Sequence, residues 1–176
     1  VDQIIKTSSI VAMFRKPNRS NSYTFGENDW TDENWTKGVT DYFLSKTKAE
    51  KAAWELMESK RLKNKLTVIN PGGVFGDALD RKGGTSIEYV RQFMKGKFPA
   101  APKWGILISD VKDVAKAHVA CIGNTKVGGR RLIVGKEVKK LIELSQIMAE
   151  AMPEYAKKLP KKELPEFMDK LVSLFV

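Results

Sequence analysis

The chain has 176 residues, a formal net charge of +10 from 31 Lys+Arg against 21 Asp+Glu, and 42% hydrophobic residues. That length suits one ordinary domain, and the aliphatic and aromatic content excludes disorder as the main state. No apolar run approaches the roughly 18–20 residues that span a bilayer, so no membrane partner is expected. One cysteine, Cys121, excludes an internal disulfide framework and a Cys-based metal site; one histidine, His118, excludes a His-rich one. No metal is therefore expected, and a reducing, cytoplasmic setting is. No signal peptide is visible, and residue 1 is Val rather than Met. Many lysines fall at 136–140 and 157–162, where they read as solvated helix ends and loops. No basic stripe interleaves with aromatics, so no nucleic-acid partner is expected.

In chain order, residues 1–13 read as a strand running into a polar Thr-Ser-Ser turn. Residues 15–39 have no sustained period and read as a long loop, with Trp30 and Trp35 packing over something. Residues 41–60 predict a helix with Thr40 or Asp41 as its cap. KLTVIN at 65–70 predicts a buried strand that stops at Pro71-Gly72-Gly73. A helix follows over 85–95, capped by Thr85 or Ser86 and closed by Gly96. A Pro-rich surface connection spans 96–104. Then come a strand at 105–109, a helix at 110–122 begun by Asp110, a strand at 131–135, a helix at 139–151, and a last amphipathic helix at 163–176. Alternation of this kind implies an α/β fold, a Rossmann-like and largely parallel sheet with flanking helices, in a single domain over 1–176.

The chemistry centres on the helix at 41–60. Tyr42 and Lys46 stand four residues apart, on one helix face. A nearby ammonium favours a phenolate, which turns a tyrosine into a usable proton donor or acceptor. Thr7, Ser8 and Ser9 end the preceding strand, where a hydroxyl can bond a substrate oxygen held beside Tyr42. That oxygen gains charge when hydride adds to a carbonyl carbon. The bland readings of the other singular residues are structural: His118 packs or sits at the surface, Cys121 is a small buried hydrophobe, the tryptophans pack, and Asp110 and Asp113 cap.

KTSSIVAM at 6–13, DWTDENW at 29–35, YFLSKTKAEKAAW at 42–54, NPGGVFG at 70–76 and ISDVKDVAKAHVA at 108–120 together resemble the extended short-chain dehydrogenase/reductases. The likeness is to the dihydroflavonol-reductase-like and cinnamoyl-CoA-reductase-like carbonyl reductases. It implies that Tyr42 protonates the reduced oxygen, that Lys46 assists it and bonds the nicotinamide ribose, and that Ser9 orients the carbonyl. It implies that Pro71, Gly72 and Val74 pass the nicotinamide amide, with Ser86 as a further cofactor contact. Met13, Phe14 and Phe75 would face the substrate. The expected cofactor is NADP (NADPH) rather than NAD, the expected partner a small-molecule carbonyl substrate, and the expected state a monomer or homodimer. The family's Gly-rich dinucleotide fingerprint is not among these residues. The likeness begins at the strand before the catalytic helix, so the chain is expected to be part of a longer protein, with a small C-terminal substrate-binding region. Sugar-nucleotide epimerases or dehydratases, hydroxysteroid dehydrogenases and a non-catalytic binding protein are the alternatives.

Overall fold

In the computed structural model, which describes residues 1–20, 22–35, 39–77 and 84–165, LTVINP forms strand β2 (Leu66–Pro71), buried along its whole length. A strand buried on both faces needs cover on both. Side chains alternate along a strand, and Leu66 and Val68 meet Met57, Ala53 and Trp54 of helix α1 (Asp41–Ser59). Helix α3 (Val111–Cys121) packs against β2 as well. Strand β1 (Ile4–Thr7) pairs parallel with β2, and β5 (Arg131–Val134) pairs parallel on its other side, giving the order β1-β2-β5. These elements form one compact unit, Val1–Gly72 with Val111–Gly135. Its glycine turn before β5 has a steric reason: a Cβ on Gly128 would lie 2.0 Å from the Asn64 carbonyl oxygen.

The second unit holds Gly73–Asp110 and the residues from Lys136 onward. Its sheet has the order β3-β4-β6, from β3 (Gly73–Phe75), β4 (Gly105–Asp110) and β6 (Glu137–Lys140). β3 runs parallel to β4, and β6 runs antiparallel to it. Helices α2 (Thr85–Met94) and α4 (Leu141–Ala151) complete the unit. Phe93, Ala101, Leu141 and Leu159 form its core, with Tyr89 and Trp104 packed against them. Burial pushes the Tyr89 hydroxyl, which has no hydrogen-bond partner among the described residues, up to about 12.

The architecture is the expected Rossmann-like α/β arrangement, with differences in detail. After β1 the chain makes a short 3-10 turn (Ile10–Ala12), so the strand is shorter than the apolar run suggested. α2 starts after Gly84, and neither Thr85 nor Ser86 is its cap. Asp110 closes β4 instead of opening α3. The lysine-rich run at 136–140 is largely strand β6, paired to β4, and α4 begins only at Leu141. The connection at 96–104 is not all surface, since Ala100, Ala101 and Pro102 are buried. The lysines at 157, 158, 161 and 162 are exposed, as expected. Of the terminal helix predicted over 163–176, residues 166–176 lie outside the described residues, and Glu163 forms an isolated bridge with Ala101. No helix among the described residues is long and apolar enough to cross a membrane.

Candidate active site

α1 carries the central residues. Steps of four along an α-helix rotate the side chain by only about 40°, so Tyr42, Lys46, Glu50 and Trp54 form a slowly turning stripe. It passes from solvent into the core: Tyr42 is 46% exposed, Lys46 half-buried and Glu50 fully buried. The Lys46 ammonium lies 5.9 Å from the centre of the Tyr42 ring. Among the described residues neither polar group takes a hydrogen-bond or ion-pair partner. An ammonium and a phenol at one end of a helix, both unengaged, are donors suited to a ribose hydroxyl and a carbonyl oxygen, so the residues present fit a nicotinamide nucleoside.

The three hydroxyls at the end of β1 separate by direction. Thr7 Oγ1 lies 2.7 Å from His118 Nε2, whose Nδ1 bonds the Val114 carbonyl. His118 is thus a structural residue of α3. Ser8 Oγ donates to Glu50 Oε2 at 2.5 Å. Ser9 Oγ caps the 3-10 turn by accepting from the Val11 N–H at 3.4 Å. Because that bond uses a lone pair, the Ser9 hydroxyl keeps its own hydrogen for donation. α1 packs against this turn.

Glu50 is the residue that sequence reasoning missed. Its Oε1 accepts from Arg131 Nε at 2.5 Å and from the Trp54 indole N–H at 3.3 Å. Its Oε2 accepts from Asn70 Nδ2 at 2.7 Å as well as from Ser8. The strand parity that lays Leu66 and Val68 against α1 also delivers Asn70 to Glu50. The available signal was the i, i+4 stripe itself, which continues past Lys46.

The segment after the serines is tied down. Thr31 Oγ1 donates to the Val11 carbonyl at 2.6 Å, and the Thr31 N–H to that of Ala12 at 2.9 Å. Asp29 accepts from Lys16, the Tyr23 hydroxyl and the Gly26 N–H. Burial pulls the Asp29 carboxyl up, but these donors outweigh it and hold it down to about 2. Phe14 packs edge-on to Phe43, centroids 5.5 Å apart, and to Phe25, with the Arg15 guanidinium 5.1 Å from the Phe14 and Phe43 centroids. Met13 has no exposed surface; it is a core residue, which corrects the expectation that it faces substrate.

Pro71 ends β2, and the Gly72 N–H bonds the Val134 carbonyl at 3.3 Å. In the second unit the Val74 N–H donates to Ser86 Oγ at 3.1 Å, so both groups expected at a cofactor are engaged with each other. Phe75 is half-buried in β3, against the Gly73 Cα face. Cys121 is buried, which pushes its thiol up. No group of three or more His, Cys, Asp or Glu side chains that could hold a metal ion occurs among the described residues.

No family model matches the chain. It is 35% identical over 169 residues to the NADPH-dependent methylglyoxal reductase of Saccharomyces cerevisiae, covering 87% of this chain and 48% of that protein. It is 31% identical over 163 residues to cinnamoyl-CoA reductase 1 of Arabidopsis thaliana, covering 92% and 46%. The crystal structure of the yeast methylglyoxal/isovaleraldehyde reductase complexed with NADPH superposes with a TM-score of 0.75 at 29% identity, over 100% of this chain and 59% of that one. The chain is thus similar, over nearly all of its length, to reductases of the extended short-chain dehydrogenase/reductase kind. The chain spans about half the length of the curated relatives it matches.

Proposed function

We propose that the protein carrying this chain is an NADPH-dependent oxidoreductase that reduces the carbonyl of a small organic molecule, and oxidises the corresponding CH–OH group in reverse. The observation that carries the reading is the Tyr42–Lys46 pair on α1, whose polar groups take no hydrogen-bond or ion-pair partner among the described residues, on a helix packed against the turn that holds Ser9. The names of the relatives, an NADPH-dependent methylglyoxal reductase and a cinnamoyl-CoA reductase, favour the same cofactor and reaction class.

In this reading the nicotinamide, when bound, supplies the hydride. Tyr42 gives its phenolic proton to the substrate oxygen. Lys46 steadies the phenolate left behind and bonds the ribose hydroxyls. Ser9 donates its hydrogen to the same substrate oxygen, where charge develops. Pro71 and Gly72 offer backbone groups to the carboxamide, while in the second unit the Val74 N–H and Ser86 Oγ are engaged with each other. Phe14 supplies apolar surface to the substrate. The buried single thiol of Cys121 suits a reducing cytoplasm, and the active species is a monomer or homodimer.

The test is Tyr42→Phe in the protein that carries this chain, with NADPH and with methylglyoxal or cinnamoyl-CoA. Turnover should fall at least ~100-fold, the range of a lost general acid, while the NADPH affinity stays close to wild type. Turnover near wild type would overturn the mechanism. Products from a UDP-sugar panel in the absence of carbonyl reduction would favour an epimerase.

A further inference from the structure

The ion pair between Glu50 and Arg131 is nearly sealed from water, with Glu50 0% and Arg131 8% exposed. Stability alone does not call for charges there, since well-packed apolar groups of similar volume often serve as well or better. These charges hold backbone. The carboxylate oxygens collect four donors, from Ser8, Asn70, Trp54 and Arg131. Asn70 Nδ2 also donates to the Ser9 carbonyl at 3.0 Å. A flipped amide would set Oδ1 against two acceptor oxygens, so the orientation of Asn70 is fixed by its partners.

Arg131 extends the same hold downstream. Its Nη1 donates to the Asp29 carbonyl and, at 3.1 Å, to the Glu27 carbonyl, and its Nη2 reaches the Ala12 carbonyl at 3.5 Å. The Ser9 turn is therefore gripped before it through Ser8, at its own carbonyl through Asn70, and after it through Ala12. Every grip leads back to Glu50. Glu50 lies eight residues past Tyr42 on α1, about 12 Å of helix rise, and on the stripe that presents Tyr42 and Lys46.

We infer that Glu50 and Arg131 are positioning residues of the reductase site: their buried pair locks the Ser9 turn to the helix that presents Tyr42 and Lys46, so that Ser9 and Tyr42 meet one substrate oxygen. The inference rests on the Tyr/Lys/Ser reading proposed above. A misplacement of about 1 Å at such a site can lower turnover ~100-fold.

The experiment compares Glu50→Gln, the apolar pair Glu50→Leu/Arg131→Met, and Ser8→Ala in the protein that carries this chain. Thermal midpoint, kcat and the KM values for NADPH and methylglyoxal are measured for each. Glu50→Gln should lower both the midpoint and kcat, because Arg131 is left uncompensated. The apolar pair should recover the midpoint while kcat stays about 10–100-fold low, with the NADPH KM near wild type. If kcat recovers together with the midpoint, the pair is structural only and the inference falls. Should the apolar pair fail to fold, Ser8→Ala decides: a lower kcat at an unchanged midpoint supports the inference, and a wild-type kcat overturns it. Tyr42→Phe is run alongside. Active Tyr42→Phe removes the underlying reading and this inference with it; inactive Tyr42→Phe beside a fully active apolar pair removes this inference alone.

Discussion

Asp29 shows how one side chain can set the conditions under which a segment stays folded. It gathers Lys16, Tyr23 and Gly26 around a carboxyl whose ordinary value of 3.8 is held down to about 2. A depressed carboxylate contributes stability that is complete above its unfolded value and is lost as pH falls through its folded one. The denaturant midpoint should therefore fall between about pH 4 and pH 2 more steeply in the wild type than in Asp29→Asn; parallel curves would refute the assignment. Tyr89 predicts the opposite limb. Its hydroxyl is raised from 10.0 to about 12, so it stays neutral where the unfolded chain ionises, and stability should fall as pH rises from about 10 to 12. Tyr89→Phe should flatten that loss. The residue scale is also where the sequence was most uneven as a guide. Tyr42 and Lys46 were legible because i, i+4 spacing is a local rule. Glu50 was not, because a glutamate in a charge-rich helix looks solvated until Arg131, 81 residues away, is folded onto it.

At the scale of elements, strands with apolar runs and helices with strong formers were legible, and β6 was not. EVKK has one apolar residue, Val138, which is itself exposed. What makes it a strand is antiparallel pairing from Glu137↔Ile108 to Lys140↔Gly105, a tertiary contact that overrides local composition. The cap of α4 shows the same division: Glu143 Oε2 accepts the Lys140 N–H at 2.7 Å, so strand end and helix start share one residue. The connection into β5 offers a test. A Cβ at Gly128 would press on the Asn64 backbone at 2.0 Å, and backbone cannot swing aside as a side chain does. Gly128→Ala should cost about 1–3 kcal/mol, the usual range for overpacking, read as a lower thermal midpoint. An unchanged midpoint would mean that the two loops part easily.

At the scale of the whole chain, the sequence made the family resemblance legible through motif order, and the Rossmann-like character through alternation. It left the cofactor's phosphate end without its Gly-rich fingerprint, since no Gly-x-x-Gly-x-x-Gly occurs in these 176 residues. Among the described residues β1 is paired on one side only, in the order β1-β2-β5. The 176 residues alone should therefore bind NADPH weakly, and a longer protein that adds a Gly-rich strand-turn-helix should bind it tightly. A fluorescence titration of both checks this; tight binding by the 176 residues alone would show that the nicotinamide end suffices.

The Arg131 guanidinium lies 3.6 Å from the centre of the Trp30 ring, covering one face of the indole with a planar cation. That stacking turns Trp30 into a built-in optical gauge. Loosening Arg131 would bare the ring to water, and its emission would move to the red before the sheet itself unfolds. Subtracting the spectrum of Trp30→Phe isolates the signal from the other three tryptophans, so the tightness of the serine turn can be followed in real time with no added dye.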